Sequence, residues 1–484
     1  MNLLKIKQSL LAVALLLTAI SASSQQTQRV PGTSEYYLDM RVDYNSGKIY
    51  AKGLITVFNN TPSPLNRIPV LLYRLLSVRS VKSGDTTLTF DQRIVSIEGW
   101  EKLQVNFIEI SLNKELLPGE HRKLEIEYDG YLCGYSEAGW RYVKDHVDRE
   151  FTIIRTDGFG YPVLGLPTES EMMMISKEYY NYHLKITVPE EMVVATGGEL
   201  INKTVIAGQT TYEFRNKKPS WRIDIAIAKF QVSGKDKNNI YHFEKDSSGV
   251  PGLIKAMENA MTLYSEWFGE IPEYKGYTII EVPEGYGSQS DVTATLITAD
   301  NFRKTGEYLT IYHELAHLWN VRNLETQPCR IENEGLAQFL QFLLAEKLDH
   351  KEKAVSDAAN QYLKQICSNF KSDKELQNIR PDQYGTHNLT FYSYTMGMIF
   401  FAVYYNLIGH EEFTKIIASY YNKFYNSGAT FSSFADHCLH NSPSYINSFF
   451  NDWIYTTKAI GMIIDGKTFE ELLQYYRSDS GLKL

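Results

Sequence analysis

No basic block, no cysteine cluster, no internal repeat and no low-complexity tract occurs in this sequence, and each absence closes a class of function. Lysine and arginine number 49 against 57 aspartates and glutamates, a net charge of −8. A nucleic-acid binder needs concentrated positive charge to meet phosphates, so nucleic acid is not an expected partner. The four cysteines (Cys133, Cys329, Cys367, Cys438) are too widely spaced for a metal or redox motif. Their even number permits disulfides in an exported chain without demanding them. The apolar run Phe391 to Ile408 contains Ser393, Thr395 and Asn406 and stops at Gly409, a helix-ending residue. It reads as a buried core helix, and no stable membrane span is expected in the mature chain.

What is present divides the 484 residues into three parts. Lys5 and Lys7 precede the short apolar run Leu10 to Ile20, and Ala22-Ser23-Ser24 supplies small residues for cleavage. Residues 1–24 therefore read as a secretory signal, with a periplasmic or extracellular destination. Residues 30–235 alternate with period two: Tyr37 to Tyr44, Leu54 to Phe58, Lys123 to Tyr128, Tyr182 to Val188 and Tyr212 to Phe214. Turn clusters such as Asn45-Ser46-Gly47 separate them, which predicts an antiparallel β-sheet domain. The polar stretch Ser233 to Asn239 marks the expected boundary. Residues 240–484 are mainly helical in period, with one strand at Tyr277 to Val282 leading into the chemistry.

That chemistry centres on His313-Glu314-Leu315-Ala316-His317, followed by Asn333-Glu334-Gly335. Residues four apart on a helix share a face, so His313 and His317 can bind one ion. Glu334 precedes an apolar pattern of helical period, so it is expected in the first turn of a second helix as the third ligand. Two histidines and a carboxylate suit one Zn²⁺ per chain, with a fourth position open to water. Glu314 stands beside the first histidine, placed to act on that water as general base and not on the metal. Cys329 is a softer alternative ligand, but a carboxylate oxygen fits a hydrolytic site better.

With these segments in hand, the chain resembles the aminopeptidase N and leukotriene hydrolase family of gluzincin metallopeptidases. Tyr37-Leu-Asp-Met-Arg-Val-Asp is similar to the family's first strand. Pro162 and Pro167 keep the spacing of its Pro-Cys-Phe-Asp-Glu-Pro stretch. Tyr264 to Pro272 is similar to its helix before the active-site sheet. Trp453 to Gly461 matches the end of its catalytic domain, so the large C-terminal helical domain of many members is not expected here. The resemblance implies an α+β multidomain fold: a saddle-like N-terminal antiparallel β-sheet domain, then a thermolysin-like, mainly helical catalytic domain. It implies peptide substrates and aminopeptidase activity. Ser393-Tyr394-Thr-Met-Gly397 stands where the family has Tyr-x-Lys-Gly, which makes Tyr394 the implied oxyanion donor.

Two departures bear on specificity. The sixteen residues from Leu318 to Asn333 are fewer than the family's usual spacer. The family's Gly-x-Met-Glu-Asn loop, whose glutamate holds the substrate's amino terminus, should follow Val282-Pro283. Gly285-Tyr-Gly-Ser-Gln-Ser-Asp291 stands there instead, and Gln289 or Asp291 is the substitute it offers. Lys255-Ala-Met-Glu258-Asn259 is a decoy inside the preceding amphipathic helix. The partner stretch from the β domain holds Arg155 and Asp157 in place of Gln or Glu. Endopeptidase specificity stays open, as does a glycyl aminopeptidase-like one, because His317-Leu-Trp-Asn-Val-Arg resembles that group. A zinc-retaining peptide-binding protein with little turnover is the rival from another class.

Overall fold

The computed structural model describes residues 30–479 apart from 135–142, 175–178, 236, 305, 326–327 and 387–388. The expected signal, residues 1–24, lies outside the described residues.

Alternation builds the first half. In His121–Tyr131 and Asn181–Pro189 every second residue of the central run is buried, as a pleated strand with one face on a core requires. Gly32–Asp43 and Lys48–Phe58 form a hairpin that turns at Asn45 to Gly47. The Asp43 carboxylate accepts the Asn45 N–H at 3.0 Å there, and Gly47 supplies a φ of 70°. These strands lie in an eight-stranded sheet, which shares one core with a four-stranded sheet built on Leu65–Tyr73 and Trp100–Leu116. A three-stranded sheet of Val193–Ala195, Asp224–Ala228 and Thr152–Arg155 completes the half. One pairing departs from the antiparallel expectation: Gly32–Asp43 runs parallel to Asn181–Pro189. Parallel neighbours need a long crossover, and the intervening sheets provide it.

The second half opens with a five-stranded sheet in the order Gln231–Lys235, Asn238–His242, Thr278–Val282, Ala294–Thr298, Gln289–Ser290. The polar stretch at Ser233 lies in a hairpin of this sheet, with Gln231 opposite His242. Helices follow, four of which carry the site: α1 (Val250–Phe268), α2 (Leu309–Ala316), α3 (Leu336–Leu348) and α4 (Thr390–Ile408). α4 is the expected core helix, buried from Thr395 to Tyr404 and ended by Gly409 at φ 83°. No helix among the described residues is long and apolar enough to cross a membrane.

The halves are joined by a core of their own. Phe151, Ile153, Ala226, Ala228 and Phe230 from the first pack with Tyr241, Ile280, Val282 and Leu296 from the second. This seam holds the strand edge beside the site.

Candidate metal centre and active site

α2 is fixed by what it buries. Ile311, Tyr312 and Leu315 face the core, and the Tyr264 hydroxyl of α1 donates to the Tyr312 carbonyl at 3.0 Å. Its last turn tightens at His317–Trp319, where the Trp319 indole donates to the Gly269 carbonyl at 2.8 Å. His313 and His317 thus project from successive turns, with ring centroids 4.9 Å apart.

Glu334 arrives from a neighbouring element. It was expected in the first turn of an α-helix. It lies in the wider π-type turn Ile331–Gly335 that feeds α3. Such single wide turns recur at functional sites because the extra residue re-aims a side chain. α4 crosses this turn at two glycines: a Cβ built on Gly335 would lie 2.6 Å from the Gly397 Cα. Only a bare backbone permits that approach, and it brings Tyr394 of α4 over the site. The Tyr394 ring stacks on His313 at 6.2 Å, with planes 7° apart.

The three ligand candidates converge. His313 Nε2 and His317 Nε2 are 3.3 Å apart, and they lie 3.4 and 3.3 Å from Glu334 Oε2. Glu334 Oε2 is buried with no hydrogen-bond partner. A tetrahedral zinc with ligand bonds of about 2.0–2.1 Å has ligand-to-ligand edges of about 3.3 Å. The triangle and its orphaned oxygen therefore fit a zinc ion. Asn320 contacts His317 Nδ1 at 2.7 Å. The contacting atom is the amide nitrogen Nδ2, which also donates to Asn333 Oδ1 at 2.6 Å. Burial opposes charge on both His317 and Glu334, but their mutual attraction wins. The imidazole sits above its usual pKa and the carboxylate well below. Burial, then the Glu334 charge, pushes the Tyr394 phenol well above its usual range, so it stays protonated and able to donate.

Glu314 lies outside the ligand triangle and is held from the strand edge. Ser290 Oγ donates to Glu314 Oε2 at 2.6 Å, and the Tyr277 hydroxyl donates to Ser290 Oγ at 3.4 Å. Ser290 sits on the two-residue edge strand that pairs with Ala294–Thr298. This contact was not anticipated from sequence, although Ser290 lies within the loop singled out there.

The loop's other candidates look elsewhere. Gln289 accepts from Arg222 Nη2 at 2.6 Å and donates to Asp157 Oδ2 at 2.6 Å. Arg222, fully buried, also pairs with Asp224 at 2.7 Å and Asp157 at 3.1 Å. Asp291 is buried, and burial raises its carboxyl to about 7 against the pull of the Ser220 hydroxyl. Tyr286 turns into the β half, stacking on His146 at 5.7 Å. Cys329 is outside the triangle; its thiol donates to the Pro381 carbonyl at 3.2 Å. All four cysteines are unpaired. Glu258 lies half-buried on α1, inside a helix and not in a loop.

Residues 292–453, which include His313, Glu314, His317, Glu334 and Tyr394, match the sequence profile of the Peptidase family M1 domain. No curated protein matches the chain. Solved structures do, at the level of fold. An M1 zinc metallopeptidase variant from Deinococcus radiodurans bound to a Tyr-Ser-Ala substrate is similar at a TM-score of 0.66 and 16% identity, over 88% of this chain and 94% of that one. A two-domain M1 zinc metallopeptidase variant bound to L-tryptophan gives 0.67 and 18% over 88% and 94%. Another, bound to L-arginine, gives 0.61 and 16% over 91% and 96%.

Proposed function

Because this chain carries a peptidase family M1 domain and is by that family a zinc-dependent peptide hydrolase, we propose that it acts as an exported, aminopeptidase-like enzyme with a weakened hold on the free amino terminus. The convergence of His313, His317, Glu334, Glu314 and Tyr394 carries the hydrolytic part.

His313, His317 and Glu334 hold the metal. When bound, zinc makes water acidic near neutral pH and polarises the scissile carbonyl. Glu314, with Oε2 fixed by Ser290, has Oε1 left to take the water's proton and pass it to the leaving amine. Tyr394, kept protonated, donates to the oxyanion as its charge develops. A protein that only binds peptides has no use for a base held this way.

Amino-terminal specificity rests on the loop. A buried ammonium needs a carboxylate partner. Gln289 and Asp157 are engaged with each other and with Arg222, and Asp291 faces Ser220 and Thr293. The fold neighbours' complexes with single amino acids and a tripeptide favour short peptides or single released residues as what the cleft holds. Export rests on the residue pattern of 1–24.

One comparison tests this reading. Zinc-loaded enzyme cleaves one peptide offered with a free or an acetylated amino end. The expectation is cleavage of both, with a modest preference for the free form. A free-form preference of about 10³, roughly 4 kcal/mol of transition-state discrimination, refutes the weakened hold. Glu314→Gln should keep its zinc and lose turnover; zinc lost along with activity refutes the separation of base from ligands.

A further inference from the structure

Arg330 stands one helical turn before Glu334, and its position is fixed by its backbone. The Arg330 N–H donates to Ser393 Oγ at 3.3 Å, and its carbonyl accepts from the N–H groups of Glu334 and Gly335. From that anchor the guanidinium reaches the metal centre. Nη1 lies 3.8 Å from Glu334 Oε1, and the side chain is 35% exposed. At that distance the contact is ionic and not a hydrogen bond. Among the described residues Glu334 is the guanidinium's one ion-pair partner, with the buried Glu332 carboxyl also within its field, and most of its five N–H donors are left for a ligand.

The charges at the reacting end make this more than a stray surface arginine. Glu314 and Glu334 together balance a doubly charged metal ion. Arg330 is then an uncompensated positive charge beside the scissile bond. The buried Arg222, by contrast, is already held by two carboxylates, Asp157 and Asp224.

We propose that Arg330 is a carboxylate-binding subsite that draws peptides bearing a negative group next to the cleaved bond. The carboxylate is either the free α-carboxylate of a short peptide or an acidic side chain; the guanidinium fork matches both. The proposal rests on the peptidase reading for its substrate, and it adds a specificity that reading does not contain.

Binding separates the two. Zinc-loaded Glu314→Gln protein is titrated calorimetrically with alanyl-alanine, alanyl-alanine amide and alanyl-glutamic acid α-amide. With Arg330 intact, at least one carboxylate ligand binds about 10–100-fold tighter than the neutral amide, and which one does so identifies the source. Arg330→Gln in the same background removes that difference, keeps its zinc and binds the neutral amide as before. Arg330→Lys keeps part of the difference, because charge remains without the fork. Equal binding of all three ligands overturns the subsite. So does a difference that survives Arg330→Gln, or zinc loss in that variant, which makes the guanidinium a prop for Glu334. Turnover of the same peptides by the unmodified enzyme reports on the peptidase reading alone. No hydrolysis of any of them strikes that reading and leaves the binding difference standing.

Discussion

In the proposed mechanism Ser290 is a positioning residue, acting through Glu314. Its hydroxyl fixes one oxygen of the base at 2.6 Å and so decides which oxygen faces the substrate. Ser290→Ala should lower kcat about tenfold and leave KM nearly unchanged, the size of one oriented hydrogen bond to a charged group. Added to Glu314→Gln, the same change should cost nothing further. An equal loss in both backgrounds would mean Ser290 only stabilises the strand. Tyr394→Phe should cost roughly 10²–10³ in kcat with little change in binding, since its donor serves charge present only in the transition state. Steady-state kinetics on one peptide checks both.

At the scale of elements, the site depends on how closely α4 crosses the turn that carries Glu334. Gly397→Ala puts a methyl where 2.7 Å separates its Cβ from the Gly335 Cα. The helix must move outward and take Tyr394 with it. We expect a drop in kcat comparable to Tyr394→Phe, with zinc retained if the turn holds. A crystal structure with unmoved α4 and full activity would refute the crossing argument. The meeting of His313 and His317 was legible in sequence because helical spacing dictates it: the two could only share a face. Glu334 was legible as a residue, but its π-type turn was not, because that turn is imposed by packing against Gly397. The strands between Leu65 and Leu116 left a weaker trace. Phe90–Ile97 is mostly exposed, so little hydrophobic alternation marks it. Ser290 meets Glu314 through a contact between distant segments, which no local pattern records.

Across the whole molecule, a buried acid ties the catalytic sheet to its helices. Glu281 is fully buried, accepts the Phe243 N–H at 2.7 Å and adjoins Asp246, which Arg303 holds at 2.7 Å. Burial, then hydrogen bonding to Asp246, raises its carboxyl from 4.5 to about 8. Between those values the unfolded chain has released this proton and the folded chain retains it. The Glu281 contribution to stability is therefore full at low pH and declines as pH rises through that window, by at most about 1.4 kcal/mol per pH unit. Glu281→Gln should remove this slope, so the variant gains on the parent as pH rises toward 8. Denaturant unfolding at matched pH values reads the difference, and parallel curves would refute the raised carboxyl.

The seam between the halves has one more consequence. Phe151, Ile153 and Phe230 cover the catalytic sheet where Ile280 and Val282 enter the site. A chain beginning at Gln231 would present those strands to water as a bare apolar face, with Tyr286 deprived of its stacking partner His146. Such a fragment would meet its own copies first, and clumping would outrun catalysis. Heating the intact chain should likewise melt both halves in one calorimetric transition, since neither has a finished surface to retreat to. The β half is thus less an appendage than the missing wall of the catalytic room, and a shorter enzyme cut from this chain would first need that wall rebuilt in polar residues.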